Sequence, residues 1–383
     1  MSASSGLQRR RVNNSLSLSP DAPDAHTNGH HRSSSTSSKP TTHAGSAFAG
    51  GSKVAFDPRD LEREDEEVRA GGKAPRLTLM EEVLLLGLKD QQGYLSFWND
   101  NISYALRGCI LIELALRRRI VVHKDPNRRR LPISERLVEV VDDRQTGETI
   151  LDETLRMMKG QEAERMSINS WIDLLSGETW NVLKIGYQLK QVRERLAKGL
   201  VDKGVLRTEK RNFLLFDMAT HPVADVRVKD AIVQRVVSLL SATTTTVPAA
   251  ALEREGTQMR ALRAVCLACA AYAASVLDNA FGRLGYEERE AAFGRCDDIL
   301  GQFAVWPFGG GGGGGGGAPA VGGGATRRRE GARVGMGGAA TGREATLGML
   351  QEVRKEMVGG DEDGGCELVA GVLEVLSKLD SLL

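Results

Sequence analysis

The sequence predicts a mostly α-helical protein: a compact helical bundle domain with short β-hairpins, preceded by a disordered N-terminal tail. From about residue 76 onward, apolar residues recur at helical spacing in segments long enough for helices. The first 50 residues contain twelve serines but only six large apolar side chains, too few to offset the entropy of ordering. We therefore expect residues 1–75 to be a tail with a charged linker, and residues 76–383 to form the helical domain.

The first two helices have the clearest signals. Thr78 and Glu81 have the spacing of a capping box, and an apolar run at residues 83–86 follows them. The next helix, at about residues 102–118, is apolar nearly all round. Such a helix is expected in the middle of a bundle.

The stretch between these helices combines aromatic and hydrogen-bonding side chains with an arginine, Arg107. Two interpretations of Phe97 and Trp98 stay open. They form a recognition surface, or they plug the core beneath the turn between the helices, where large aromatic side chains are usually found.

Further along the chain, Pro, Asn and Gly mark turns between short strands at residues 119–123, 131–133 and 138–141. Residues 205–208 and 213–217 have the pattern of the two arms of a β-hairpin, with its turn at residues 209–212. Its aromatic arm needs a partner surface, either its own core or a neighbouring subunit. Further helices are expected at about residues 150–159, 168–175, 182–203, 226–240, 259–277, 286–300 and 367–382.

A glycine-rich stretch interrupts the C-terminal part of the domain. Half of the residues between 309 and 342 are glycine, and no Lys-Ser or Lys-Thr follows to make a phosphate loop. We expect a flexible insertion here.

Composition excludes several classes of function. The formal net charge of +1 does not favour nucleic acid as a partner. The five cysteines lie within helical patterns and indicate buried thiols rather than a disulfide framework. No signal peptide is expected at the N-terminus. The most apolar run, residues 264–277, is shorter than the roughly 20 residues that a membrane-spanning helix needs, so any membrane contact is expected to be peripheral.

No set of residues has the spacing of a catalytic or metal site, and we expect neither an enzyme nor a cofactor. What remains is an anion site. Lys190 and Arg193 are three residues apart in a predicted helix and would share one face. With Arg107 they have the charge to bind a phosphate group through charge-assisted hydrogen bonds. In the tail, Arg9, Arg10 and Arg11 are either a mobile arm for an acidic partner or simply solvated.

Several motifs together resemble the Golgi phosphoprotein 3 family, which includes fungal vacuolar-sorting members. They are Ser-Phe-Trp-Asn-Asp at residues 96–100, Leu-Arg-Gly-Cys at 106–109, Ser-Gly-Glu-Thr-Trp-Asn at 176–181, Val-Arg-Glu-Arg-Leu-Ala-Lys at 192–198 and Asn-Phe-Leu-Leu-Phe-Asp-Met at 212–218. The resemblance covers about residues 76–300 and fades at the glycine-rich stretch.

This resemblance implies a peripheral adaptor on the cytosolic face of Golgi membranes that binds phosphatidylinositol 4-phosphate. It implies that the adaptor links cytosolic tails of Golgi glycosyltransferases to the COPI coat for retrograde transport and Golgi retention. The implied headgroup residues are Trp98, Arg107, Lys190 and Arg193, and the implied coat-binding residues are Arg9, Arg10 and Arg11. The implied self-association hairpin, which would make a homo-oligomer, contains Val205, Leu206, Phe213, Leu214, Leu215 and Phe216. A structural self-associating scaffold without lipid recognition stays open as the alternative.

Overall fold

A computed structural model describes residues 72–95, 101–179, 181–213, 216–242, 244, 246–310, 336–357 and 364–379. Several predicted features lie outside these residues. They are the N-terminal tail with its arginines at positions 9–11, Trp98 and its neighbours, the residues Leu214 and Leu215, and most of the glycine-rich stretch.

The described chain is mostly helical, which confirms the predicted fold class. Its α-helices are α1 (Leu79–Gly87), α2 (Asn101–Leu116), α3 (Thr149–Gly160), α4 (Ile168–Ser176), α5 (Val192–Asp202), α6 (Val226–Leu240), α7 (Arg260–Ala273), α8 (Tyr286–Phe303), α9 (Met336–Met357) and α10 (Gly365–Leu376). Short 3-10 helices occupy Arg128–Arg130, Ile133–Glu135, Val182–Tyr187, Ala249–Ala251 and Leu277–Phe281.

Helix α2 is the centre of the bundle, as its composition predicts. From Ile102 to Leu116 nearly every side chain is buried, and α1, α4, α7 and α10 pack around it. A helix without a polar face is stable only when neighbours cover it on all sides. Helix α1 begins at the predicted capping box: the Thr78 amide donates to Glu81 Oε2 at 2.9 Å, and the Glu81 amide donates to Thr78 Oγ1 at 3.4 Å.

A buried carboxylate joins three of these helices. Glu113 of α2 accepts from Arg117 Nε at 2.8 Å, from both terminal nitrogens of Arg263 in α7 at 3.0 and 3.1 Å, and from the Leu79 amide at 3.2 Å. Burial disfavours the charged carboxylate, but the two guanidinium groups outweigh burial and lower the pKa of Glu113 to about 2. The cluster fixes the starts of α1 and α7 against α2.

The two predicted strand regions form two small antiparallel sheets with partners that differ from expectation. β1 (Ile120–Val122) pairs with β2 (Val138–Val140), whereas residues 131–133 were wrongly predicted as a strand: Leu131 and Pro132 connect two 3-10 helices, and Ile133 begins the second of them. The Arg119 carbonyl accepts from the Val141 amide at 2.9 Å and extends the β1–β2 pairing. Residues 138–140 pair with β1 in place of residues 131–133, because a regular antiparallel ladder lets their apolar side chains pack on the core.

The prediction of one continuous helix at residues 182–203 is wrong. The chain forms the 3-10 helix Val182–Tyr187, becomes extended at Gln188, and enters α5 only at Val192. Gln191 has a φ of 54°, in the left-handed region that side chains other than glycine rarely adopt. Its local pattern is helical throughout, so the break is caused by contacts with distant residues, described below.

Helix α9 was not predicted and begins within the last part of the glycine-rich stretch. Ala345, Met349 and Val353 recur every four residues and are buried against α7 and α8. Burial of this apolar stripe outweighs the low helix propensity of the surrounding glycines.

All five cysteines are buried thiols, which confirms their predicted place in the core. In the described parts of the chain, no helix is both long enough and apolar enough to cross a membrane.

Candidate functional site

Arg107 lies in α2 with its guanidinium buried against backbone carbonyls. Its Nη1 donates to the Ser103 carbonyl at 2.8 Å, its Nη2 to the Leu189 carbonyl at 2.9 Å, and its Nε to the Leu175 carbonyl at 3.3 Å. Arg107 therefore ties together α2, the end of α4 and the chain just before α5. Its charge meets no carboxylate among the residues that the structure describes.

Arg193 lies in the first turn of α5 and reaches the same place. Its Nε and Nη2 both donate to the Ser103 hydroxyl, at 2.9 and 2.5 Å. Ser103 thus holds Arg107 through its carbonyl and Arg193 through its hydroxyl. Ser103 was missed from the sequence; the only available signal was its position one helical turn before Arg107.

The two guanidinium groups are close enough to affect each other's charge. Burial is the main cause that lowers the pKa of Arg107, to about 10, and the positive charge of Arg193 lowers it further. At neutral pH both groups stay protonated. Two like charges held this close favour an anion beside them, since an anion relieves the repulsion.

Lys190 is exposed and lies three residues before Arg193 in the sequence. It forms no ion pair with any residue in the described ranges. Its backbone is fixed through its neighbour Leu189, whose carbonyl binds Arg107 and whose amide donates to the Leu175 carbonyl at 3.1 Å. These contacts hold residues 188–191 out of the helical path and explain the break before α5.

The break corrects one part of the predicted site. Lys190 and Arg193 do not share a face of one continuous helix, because Lys190 precedes the first helical residue of α5. The fold instead brings Arg193 and the backbone beside Lys190 to Arg107 through Ser103 and Leu189. Trp98, the fourth predicted residue, lies outside the described residues, so its place in the site stays a prediction.

Tyr104, the residue after Ser103, contacts an acidic residue. The Tyr104 hydroxyl donates to Asp173 Oδ1 at 2.6 Å, and burial is the main cause that raises the pKa of Asp173. A cavity of about 360 Å³ opens beside Arg193. Its mostly apolar lining comes from α1, from the loop at residues 88–95, from Ala197 of α5 and from Met218 of β4 (Phe216–Thr220), and Glu194 of α5 also lines it. Arg193 therefore stands between the polar cluster and an apolar hollow.

The predicted hairpin exists, but its arms are displaced along the sequence. β3 (Glu209–Phe213) pairs with β4, from Glu209 opposite Thr220 to Phe213 opposite Phe216. The polar residues 209–212, predicted as the turn, form a strand because an exposed two-stranded ribbon does not need an apolar face. Leu214 and Leu215 lie outside the described residues.

Val205 and Leu206 lie before β3 rather than in it, although Leu206 forms an isolated antiparallel bridge with Val223 in the same register. Both are buried in the core, and the Leu200 carbonyl accepts from both of their amides, at 2.8 and 3.2 Å. They are therefore not available to a second copy of the chain on this surface. Self-association through the hairpin itself stays a prediction.

One other charged feature has no assigned role. The run Arg128–Arg130 forms a 3-10 helix in which Arg129 and Arg130 are exposed, whereas Arg128 is half-buried and ion-paired with Glu367 at 3.2 Å. Within the described ranges, no group of His, Cys, Asp and Glu is arranged to hold a metal ion.

Comparison with known proteins adds a family to this geometry. Residues 79–311 match the family model described as Golgi phosphoprotein 3 (GPP34). The chain is 60% identical over 256 residues to a vacuolar protein sorting-associated protein 74 of Schizosaccharomyces pombe, covering 67% of this chain and 74% of that protein. It is 49% identical over 335 residues to the protein of the same name from Eremothecium gossypii, covering 86% of this chain and 90% of that protein.

Proposed function

This chain belongs to the Golgi phosphoprotein 3 family, with a Golgi-related trafficking function, and from that premise we propose that it is a peripheral adaptor that binds phosphatidylinositol 4-phosphate. The adaptor works on the cytosolic face of Golgi membranes, without catalysis. It links glycosyltransferase tails to the COPI coat for retrograde transport and Golgi retention.

The observation that supports lipid binding is the convergence of Arg107 and Arg193 on Ser103, with exposed Lys190 beside them. A phosphate monoester carries between one and two negative charges and several acceptor oxygens. Arg193 and Lys190 offer it donors at the surface. Arg107 supplies positive charge from its buried position, and it holds the backbone next to Lys190 through the Leu189 carbonyl. Trp98 is proposed to complete the site at the membrane edge.

Selectivity would come from several weak contacts made at once. A single headgroup, a coat contact and an enzyme tail each bind weakly, but linked together they raise the effective concentration of each other. The adaptor is therefore proposed to stay on a membrane only where lipid, coat and cargo coincide.

Vesicle flotation with the full chain tests the lipid step. Vesicles of phosphatidylcholine with phosphatidylinositol 4-phosphate are expected to carry the protein to the top of the gradient. Vesicles in which phosphatidylserine supplies the same total charge are expected to carry much less. Equal flotation with both vesicles would contradict headgroup recognition and favour the self-associating scaffold.

The coat contact is proposed for Arg9, Arg10 and Arg11, since clustered arginines suit an acidic partner surface. Pull-down of purified coatomer by the full chain is expected to fail when these three residues are alanine. The same replacement should leave flotation on phosphatidylinositol 4-phosphate vesicles nearly unchanged. Coatomer retention by the triple variant would rule out this role.

A further inference from the structure

The 3-10 helix Val182–Tyr187 turns polar rather than apolar side chains towards the rest of the domain. In a 3-10 helix, residues three apart share a face. Here that inward face carries Lys184 and Tyr187. Lys184 Nζ lies 3.4 Å from Glu164 Oε2 and 3.6 Å from Met166 Sδ. The Tyr187 hydroxyl binds Gln161, and its ring meets Trp171 edge-on at 6.4 Å.

The other sides of this helix point apolar side chains at the solvent. Leu183 is 90% exposed and Ile185 is 48% exposed. Surface helices normally turn their apolar residues inward and their lysines outward, so the arrangement is inverted. Single exposed apolar residues are common on proteins, but an exposed pair flanking a lysine held by the domain indicates a contact surface.

This helix is joined to the anion site by a short connection of the chain. Its first turn is fixed because the Leu183 amide donates to the Asn181 side chain at 3.0 Å. Its last residue is followed directly by Gln188 and Leu189, and Leu189 is held by Arg107. Leu183 and Ile185 are thus carried on the same short segment as Lys190, within seven residues of it.

We propose that Leu183 and Ile185 enter the apolar boundary of a lipid bilayer while Lys190 and Arg193 hold the lipid headgroup. This inference rests on the proposed lipid binding. It adds a second contact with the same membrane, namely with its acyl layer. Apolar side chains beside exposed cations are the combination by which proteins attach to the surface of an anionic membrane.

The small size of the surface favours a membrane over a protein partner. A stable protein interface buries about 800 Å² on each side, far more than two side chains supply. A bilayer needs no such matched surface, because it takes up each apolar side chain independently. Each contact is weak alone and gains strength from the headgroup bound on the same segment.

Substitution in the helix tests the inference. Leu183→Asp is expected to weaken binding to phosphatidylinositol 4-phosphate vesicles about tenfold, since burying a leucine is worth about 1.5 kcal/mol or more. Leu183→Asp with Ile185→Asp should weaken it further. The matched control is Leu347→Asp, which changes a leucine of α9 that is 57% exposed and should leave vesicle binding unchanged.

A soluble ligand separates the acyl contact from the headgroup contact. Titration with inositol 1,4-bisphosphate, which has no acyl chains, should give the same affinity for the wild type and Leu183→Asp. If the variant binds vesicles as the wild type does, the inference is overturned. It is also overturned if Leu183→Asp loses the soluble headgroup to the same extent as the vesicle, because the substitution then acts on the anion site.

Insertion can also be observed directly. All five native cysteines are buried, so a thiol introduced by Leu183→Cys can be labelled selectively with an environment-sensitive fluorophore. A blue shift on vesicles with phosphatidylinositol 4-phosphate, quenched by brominated acyl chains, supports the inference. Bound protein with an unshifted emission overturns it and leaves a protein as the partner.

The two proposals fail in different ways. If the protein binds phosphatidylserine vesicles as well as phosphatidylinositol 4-phosphate vesicles and the label still shifts, headgroup selectivity fails and the acyl contact stands. If it binds neither kind of vesicle, both are overturned.

Discussion

Replacing Lys190 and Arg193 together with alanine is expected to weaken binding to phosphatidylinositol 4-phosphate vesicles by about 100-fold or more. A hydrogen bond to a charged group is worth about 1.5–3 kcal/mol, so the loss of two such contacts costs about 3–6 kcal/mol. The free energy of unfolding should fall by about 1–3 kcal/mol, because Lys190 is exposed and half-buried Arg193 loses its hydrogen bonds to the Ser103 hydroxyl. Flotation and chemical denaturation measure the two effects separately.

The matched control removes the same charge from α5, the helix that carries Arg193. Arg195 pairs with Glu153 at 2.5 Å at the surface, and Lys198 is exposed further along α5. Arg195→Ala with Lys198→Ala lowers the net charge as much as the test pair does. An equal loss of binding in this control would mean that only bulk positive charge matters, and it would contradict a specific site.

Arg107→Ala is a poorer test of the headgroup site, although the sequence alone favours it. Its guanidinium donates to the backbone carbonyls of Ser103, Leu175 and Leu189. We expect its loss to lower both vesicle binding and the free energy of unfolding, the latter by about 3 kcal/mol because the charge-assisted hydrogen bonds that join α2, α4 and the chain before α5 are lost. Binding lost with full stability would mean that Arg107 contacts the ligand directly.

Glu113→Gln is expected to lower the free energy of unfolding by about 3–5 kcal/mol at neutral pH, because it leaves two buried guanidinium groups without their carboxylate. Urea denaturation at several pH values measures the loss. Below the denaturation midpoint, vesicle binding should be almost unchanged, since Glu113 does not contact the anion site. The matched control is Glu162→Gln, which breaks an exposed pair with Lys159 and should cost less than about 1 kcal/mol.

The stability difference between the wild type and Glu113→Gln is expected to depend on pH. The pKa of Glu113 is about 2 in the folded protein, below the ordinary value of 4.5 expected for the unfolded chain. The carboxylate therefore contributes its full stability above about pH 5, and this contribution is lost as the pH falls from 4.5 towards 2. The difference between the wild type and Glu113→Gln should shrink over that window. A difference that stays constant down to about pH 3 would contradict a charged Glu113 in the fold.

Local signals were sufficient for several features. The capping box at Thr78 and Glu81 and the apolar character of α2 depend on residues within one or two helical turns, and both predictions are confirmed. The family could also be identified from short motifs, because residues such as Arg107 and Arg193 lie within them.

The errors occur where distant residues compete with local preference. The arms of the β-hairpin were predicted at the wrong residues. Val205 and Leu206 have strand-like side chains but are buried beneath α5, where the Leu200 carbonyl accepts from both of their amides. Helix α9 was missed because its many glycines predict a segment without helix. Its stripe of apolar residues stabilises the helix only when it is buried against other helices, and a local pattern does not show that burial.

For the candidate site, the sequence by itself determined which residues carry positive charge and which segments are helical, since charge and periodicity are local properties. Only the tertiary structure decided how they are used. It turns the guanidinium of Arg107 inward onto the carbonyls of Leu175 and Leu189, and this contact interrupts the helix before α5. The interruption leaves Lys190 at the surface, and Leu183 is exposed seven residues earlier, because carbonyls brought together from far along the chain compete successfully with the local helix.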